Sequence, residues 1–220
     1  MPLLLQAQVN AASYYRSIEV FGGMGTTHYF GEVGGPGDSY SGFFAALDNL
    51  GFDPMQSRLG WSFGSRFEFR KDMAVTVSLN PLWIGGSDKN SAREQRGYAF
   101  DAIVVEGSLN YEYYFARRTT GLAPYGGFGL AASIYRFKPK QEQWSSLYYS
   151  PIMIYTIGTR LPSRSRITHG IELGFHYMFT DFMDGLNGNM KVGDSYYFVK
   201  YLINFELEKT FVYDHKGLIR

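Results

Sequence analysis

The stretch from Arg58 to Asn80 constrains the fold more than any other. Between Leu59 and Phe69 the odd positions are Leu59, Trp61, Phe63, Ser65, Phe67 and Phe69. The even positions are Gly60, Ser62, Gly64, Arg66 and Glu68, with Arg58 and Arg70 at the two ends. Side chains of an extended chain alternate between its faces, so one face is aromatic and the other small, polar and charged. Lys71-Asp72 then reverses the chain, and Val75, Val77 and Leu79 alternate with Thr76, Ser78 and Asn80. Strands of soluble sheets average about 5–6 residues. The alternation here reaches the about 9–11 residues that a tilted strand needs to cross a bilayer. The segment reads as a membrane-spanning hairpin with its apolar face toward lipid.

Composition fits that reading. The 220 residues include 18 Tyr, 18 Phe, 3 Trp and 26 Gly, the ingredients of aromatic girdles and a crowded interior. Mean hydropathy is only −0.20, because each lipid-facing residue is diluted by a lumen-facing neighbour. No apolar run approaches the about 18 residues of a transmembrane helix. A net charge of +1 gives no electrostatic case for nucleic acid, and the absence of cysteine excludes disulfides and thiolate metal sites.

Met1 to Asn10 (MPLLLQAQVN) has the character of a secretory-signal remnant or a disordered N-terminus, and residues 1–12 are set apart on that basis. Strands are expected at about Ile18–Tyr29, across the hairpin, and at Ile103–Phe115. Others follow around Phe128–Ile134, Ile152–Thr159, Ile171–Phe179 and Tyr197–Leu207. Long connections are expected at Gly31–Gln56, Ile84–Gly97, Lys138–Ser150 and Thr180–Asp194. The first of these has the caps of a short helix, from Asp38 or Ser39 through Leu50 with Gly51 as its stop. Between the long connections lie short turns at Lys71-Asp72, Arg117–Gly121 and Pro162–Arg166. Long loops on one side and short turns on the other, with an even strand number, describe an outer-membrane barrel. The expected architecture is an eight-stranded antiparallel transmembrane up-and-down β-barrel over residues 13–208. Its long loops are extracellular and its termini periplasmic, and a periplasmic tail spans residues 209–220.

Parity places Arg58, Arg66, Glu68, Glu106, Glu112, Glu172, His176, Lys200 and Glu206 inside. Mixed charges confined in a barrel this narrow imply a paired plug, because buried charges need partners. Catalysis is not expected: a lipid acyltransferase or deacylase needs a His beside a hydroxyl or carboxylate at one rim. Among the four histidines, only His28 and His176 come into question, with no diagnostic spacing. No cofactor or metal is expected, since Asp181, Asp184 and Asn187 lack the spacing of a calcium loop.

Three segments carry a family resemblance: Gly25–Glu32 (GTTHYFGE), Pro124–Lys140 (PYGGFGLAASIYRFKPK) and Thr180–Gly188 (TDFMDGLNG). The second combines a Pro-Tyr start, a Gly-rich strand and an aromatic-x-Pro-Lys exit, with Trp144 soon after. Together they resemble the PorG-like outer-membrane β-barrels of Bacteroidota, which include a component of the type IX secretion system. Gly185 departs from the pattern, standing where the family often has a second acidic residue. The resemblance implies a non-enzymatic barrel embedded in outer-membrane lipids, contacting the periplasmic lipoprotein ring of that system. The basic turns, with Lys71, Arg117, Arg118, Arg164 and Arg166, would then meet the ring. An adhesin-type barrel acting through its loops and a lipid-modifying enzyme are the alternatives.

Overall fold

In the computed structural model the described residues are 15–30, 33, 56–70, 72–89, 94–115, 122–140, 142–161, 166–186 and 193–211. They form β1 (Tyr15–Phe30), β2 (Arg58–Arg70), β3 (Met73–Ser87), β4 (Ala99–Tyr114), β5 (Ala123–Pro139), β6 (Tyr148–Leu161), β7 (Ile167–Met178) and β8 (Ser195–Phe211). Each strand pairs antiparallel with the next, and β8 closes on β1. The register around the barrel runs Ser17, Glu68, Ala74, Glu112, Gly127, Thr156, Gly174, Phe198 and back to Thr27. The path returns ten residues further along β1, from 17 to 27. With strands about 4.8 Å apart and rising about 3.3 Å per residue, that stagger tilts them by about 40°.

The outside is apolar. Leu130 is 64% exposed, Ile157 62% and Phe128 60%, whereas the inward Arg66 and Glu106 are at 1% and 0%. On β4 the outward row Ile103, Val105, Leu109, Tyr111 and Tyr113 alternates with the buried Val104, Glu106, Ser108, Asn110 and Glu112. From Ile103 to Tyr113 at this tilt, the row stands about 25 Å tall, the height of a bilayer's hydrocarbon band. Such a surface far exceeds the few hundred Å² of contiguous apolar area that a water-soluble monomer tolerates.

Element boundaries differ from the sequence reading in several places. β1, β4, β5 and β7 start three to five residues earlier than expected. β3 runs on through Ser87, so Ile84 of the expected Ile84–Gly97 loop is a fully buried strand residue. β8 continues to Phe211, with Lys209 opposite Ser17 and Thr210 opposite Arg16, so the first part of the expected tail is strand. β6 continues past Thr159 to Leu161, which brings Arg160 into the sheet. The β5–β6 connection is 140–147, no longer than the 115–122 connection at the other end. The expected Lys138–Ser150 loop is shortened because ladder pairing extends to Tyr135 opposite Tyr148. The expected helix over 38–50, and residues 1–12, lie outside the described residues.

Candidate functional site

The barrel interior divides along its axis. Near the short turns it is ionic. Arg66 on β2 donates from Nε and Nη2 to the two oxygens of Glu112 on β4, at 2.9 and 3.1 Å. Its Nη1 donates to Asn204 Oδ1 at 2.7 Å and lies 3.5 Å from Glu19 Oε2. Thr76 and Tyr114 donate their hydroxyls to Glu112 as well, at 2.5 and 2.9 Å. Arg160 on β6 donates to Glu68 at 2.7 Å and to both oxygens of Glu19, at 2.6 and 2.5 Å. Lys200 on β8 pairs with Glu172 on β7 at 2.8 Å, and Tyr125 donates to the same carboxylate at 2.5 Å. Bidentate guanidinium–carboxylate pairs are the strongest way to satisfy charges removed from water. The Arg66–Glu112, Arg160–Glu19 and Arg160–Glu68 pairs join strands that are not neighbours and so cross the lumen, whereas Lys200 and Glu172 are cross-strand partners on the wall.

At mid-height Glu106 accepts from Asn80 at 2.7 Å and from Tyr196 at 2.6 Å, and its Oε2 lies 2.7 Å from His176 Nδ1. The His176 ring stacks on Tyr196 with centroids 4.7 Å apart. Ser62 donates to Asn80, and the Ser78 and Ser108 hydroxyls meet at 2.6 Å. Among the described side chains, only Asn110 Oδ1, Thr156 Oγ1 and Thr159 Oγ1 are buried without a hydrogen-bond partner.

Toward the long connections the interior turns apolar. Ile84, Phe100, Ala102, Val104, Tyr135, Phe137, Ile152, Ile154, Met178 and Phe198 form one buried cluster. The β7–β8 connection folds into it: Met183 is fully buried, and Phe182 packs edge-on to Phe137 at 5.3 Å. Gly185 has φ +81°, and a Cβ there would lie 2.5 Å from the Phe137 ring. Only glycine suits that position without strain.

A three-residue latch holds this cap. The Tyr29 hydroxyl at the end of β1 lies against Asp184 Oδ2, at 3.0 Å, and against Asp194 Oδ1. Asp194 also accepts from the Met183 amide at 2.6 Å, and Asp184 from the Leu186 amide at 2.8 Å. Burial raises the Asp194 carboxyl to about 7, and the neighbouring Asp184 carboxylate pushes the same way. One phenolic proton cannot serve two carboxylates at once, so a proton on Asp194 completes the chain Asp194–Tyr29–Asp184.

The interior thus holds Arg66, Glu68, Glu106, Glu112, Glu172, His176 and Lys200. Arg58 is a correction: it lies at the loop-end rim with Nε 3.1 Å from Asp101 and its guanidinium 5.8 Å from the Trp83 ring centroid. The outward Asp101 offers a charge partner at the water boundary, and the inward alternative at that height is the apolar cluster. Glu206 is half-buried at the turn end, where it accepts from Ser17 at 3.3 Å. Two residues missed from the sequence, Glu19 and Arg160, are central to the network. His28 has hydroxyls at both ring nitrogens, Thr26 at 3.1 Å and Ser57 at 3.3 Å. Of the basic turn residues, Arg166 is exposed and its carbonyl accepts from the Glu206 amide at 2.8 Å. Lys71, Arg117, Arg118 and Arg164, like Asn187, lie outside the described residues.

A closed eight-stranded barrel with an apolar exterior is the structural result, and its fold has counterparts among known structures. Neisserial surface protein A superposes with a TM-score of 0.54 at 9% identity, over 86% of this chain and 96% of that one. The fold is that of the small outer-membrane barrels. The N-terminal barrel domain of Pseudomonas aeruginosa OprF gives 0.48 at 14% identity, covering 88% and 98% of the two chains. P. aeruginosa OprG gives 0.48 at 12%, covering 87% and 97%. No protein-family model matches the sequence, and neither does any curated protein.

Proposed function

We propose that this chain is a non-catalytic outer-membrane protein that conducts nothing and works through its two ends, as a barrel component of the type IX protein secretion system. The observation that carries the first part is the interior. The Arg66–Glu112 and Arg160–Glu19–Glu68 pairs span the bore on the turn side, and the Met183 cap fills the loop side. With the described side chains crossing and capping the bore in this way, the surfaces left for function are the turn end, the loop end and the lipid-facing wall. The likeness in fold to outer-membrane barrels supports the location; on this reading the termini and short turns are periplasmic. The secretion-system role is supported by the resemblance of Gly25–Glu32, Pro124–Lys140 and Thr180–Gly188 to PorG-like barrels. On this reading the turn end meets the periplasmic lipoprotein ring, and its basic residues suit an acidic partner face.

The test is a detergent pull-down of the tagged protein from its native outer membrane, with mass spectrometry of what accompanies it. Ring lipoproteins in fixed stoichiometry are expected, and neutralising Arg117, Arg118, Arg164 and Arg166 releases them while the barrel stays folded. A monomer with no partner overturns the secretion role. The second reading, an adhesin-type barrel acting through its loops, is favoured by the ordered cap around Met183. It is separated by deleting loops and measuring ligand binding while secretion stays normal. Enzymatic use of His28 and Ser57 would change lipid A acylation on expression, and no change is expected.

A further inference from the structure

The exit of β5 is shaped in a way that the barrel itself does not require. Outward positions on β5 run Phe128, Leu130, Ala132 and Ile134, then Arg136, Lys138 and, still in register opposite Ala99, Lys140. The row is apolar through the hydrocarbon band and becomes three cations at alternate positions at the loop-end boundary. Alternate residues on one strand face lie about 6.6 Å apart, so neighbouring cations can bracket one phosphate.

The local backbone builds this strip. Phe137 points inward into the cap, and Pro139 has no amide to extend the ladder. Ser145 then folds the connection back: its amide donates to the Phe137 carbonyl at 2.9 Å, and its hydroxyl accepts from the Phe137 amide at 3.1 Å. This return brings Trp144 to the Arg136 guanidinium, 5.8 Å from the ring centroid, with Leu147 and Tyr149 exposed alongside. Arg136, Lys138 and Lys140 are all exposed, and Lys138 and Lys140 make no ion pair among the described residues. The nearest acid in register, Asp101 opposite Lys138, already receives Arg58 at 3.1 Å and the Trp83 indole at 3.2 Å. Glu142 lies in the same connection and leaves the strip net positive.

We propose that Arg136, Lys138 and Lys140, with Trp144 as an aromatic shelf, bind the phosphate of a membrane glycolipid whose acyl chains lie along Ile134, Ala132 and Leu130. The occupant is a lipid because the cations continue the lipid-facing row directly; a soluble anion would gain nothing from that row. A guanidinium held against an indole, with ammonium groups beside it, suits a phosphate ester at the membrane–water boundary. This rests on the outer-membrane reading with the long connections outside, where the outer leaflet is built of phosphorylated glycolipid.

The experiment uses the purified, delipidated full-length barrel, native mass spectrometry and three probes: bisphosphorylated lipid A, enzymatically dephosphorylated lipid A, and inorganic phosphate. The expected result is retention of bisphosphorylated lipid A that falls at least about tenfold in R136Q/K138Q/K140Q, since each interfacial cation contributes separately. The control R70Q, at the opposite end, retains it like the parent. A heat-modifiable gel shift in each variant shows that the barrel is folded. Equal retention by parent and triple variant, equal retention of the dephosphorylated lipid, or displacement by inorganic phosphate overturns the proposal. Membrane fractionation tests the location separately, so failure of one is not mistaken for failure of the other.

Discussion

Arg160 on β6 reaches across the bore to Glu19 on β1, with Nη2 2.6 and 2.5 Å from the two carboxylate oxygens. These strands are not neighbours in the barrel, so the pair ties opposite walls together. The same guanidinium holds Glu68 on β2 at 2.7 Å.

Replacing Arg160 with Met leaves both carboxylates buried without this partner. The expected cost is about 3–5 kcal/mol, because a broken buried pair strands a charge in a low dielectric. Urea unfolding in lipid vesicles measures it. The triple change R160M/E19Q/E68Q recovers much of the loss, since the stranded charges are then removed. Similar stability of R160M and the parent would show that the bore is hydrated and the network unimportant.

The lipid-facing wall has its own test. Leu130 sits midway along the outward row of β5 and is 64% exposed. In a barrel surrounded by lipid, Leu130→Arg costs about 2–4 kcal/mol and lowers membrane insertion. In a barrel surrounded by water the same change is nearly neutral, so folding yield into vesicles separates the two.

The latch titrates. Asp194 sits at about 7 in the folded cap against 3.8 for an unhindered carboxyl. Its folded value is raised, so the open cap loses its proton first as pH rises. The stabilisation is therefore complete below about pH 4, declines between about 4 and 7, and is flat above. The groups facing it are Tyr29 from β1, Tyr135 from β5 and the Asp181 and Asp184 carboxylates of its own connection. Hydrogen exchange at the Met183 amide, corrected for intrinsic rate, is expected to be slower at pH 5 than at pH 8. Asp194→Asn removes the difference. An unchanged profile in that variant would place the titration elsewhere.

Much of this was legible in the sequence, and the reasons it stopped are physical. On β2 and the turn-side half of β4, an interior of Arg66, Glu68, Glu106 and Glu112 stands against an apolar exterior, so period two is clear. At the loop end the interior is apolar too. Runs such as Ala102-Ile103-Val104-Val105 and Ile152-Met153-Ile154-Tyr155 then show no alternation, and the cap they build is invisible. Arg160 is hard to read from the sequence because Gly158 and Thr159 blur the alternation just before it, although the strand continues to Leu161. Glu19 lies beside a β-bulge at Ile18/Glu19 and ahead of a glycine-rich stretch, where alternation is weak. Arg58 has interior parity, but strand parity does not govern a long side chain at a rim, where Asp101 and Trp83 draw it outward.

The most direct measurement is ionic conductance of the purified barrel in planar bilayers. A filled bore predicts insertion without steady current, in the parent and in a variant with Asp194→Asn in the cap. A stable ohmic conductance in the parent would contradict the filled interior, and with it the assignment of function to the two ends and the lipid-facing wall.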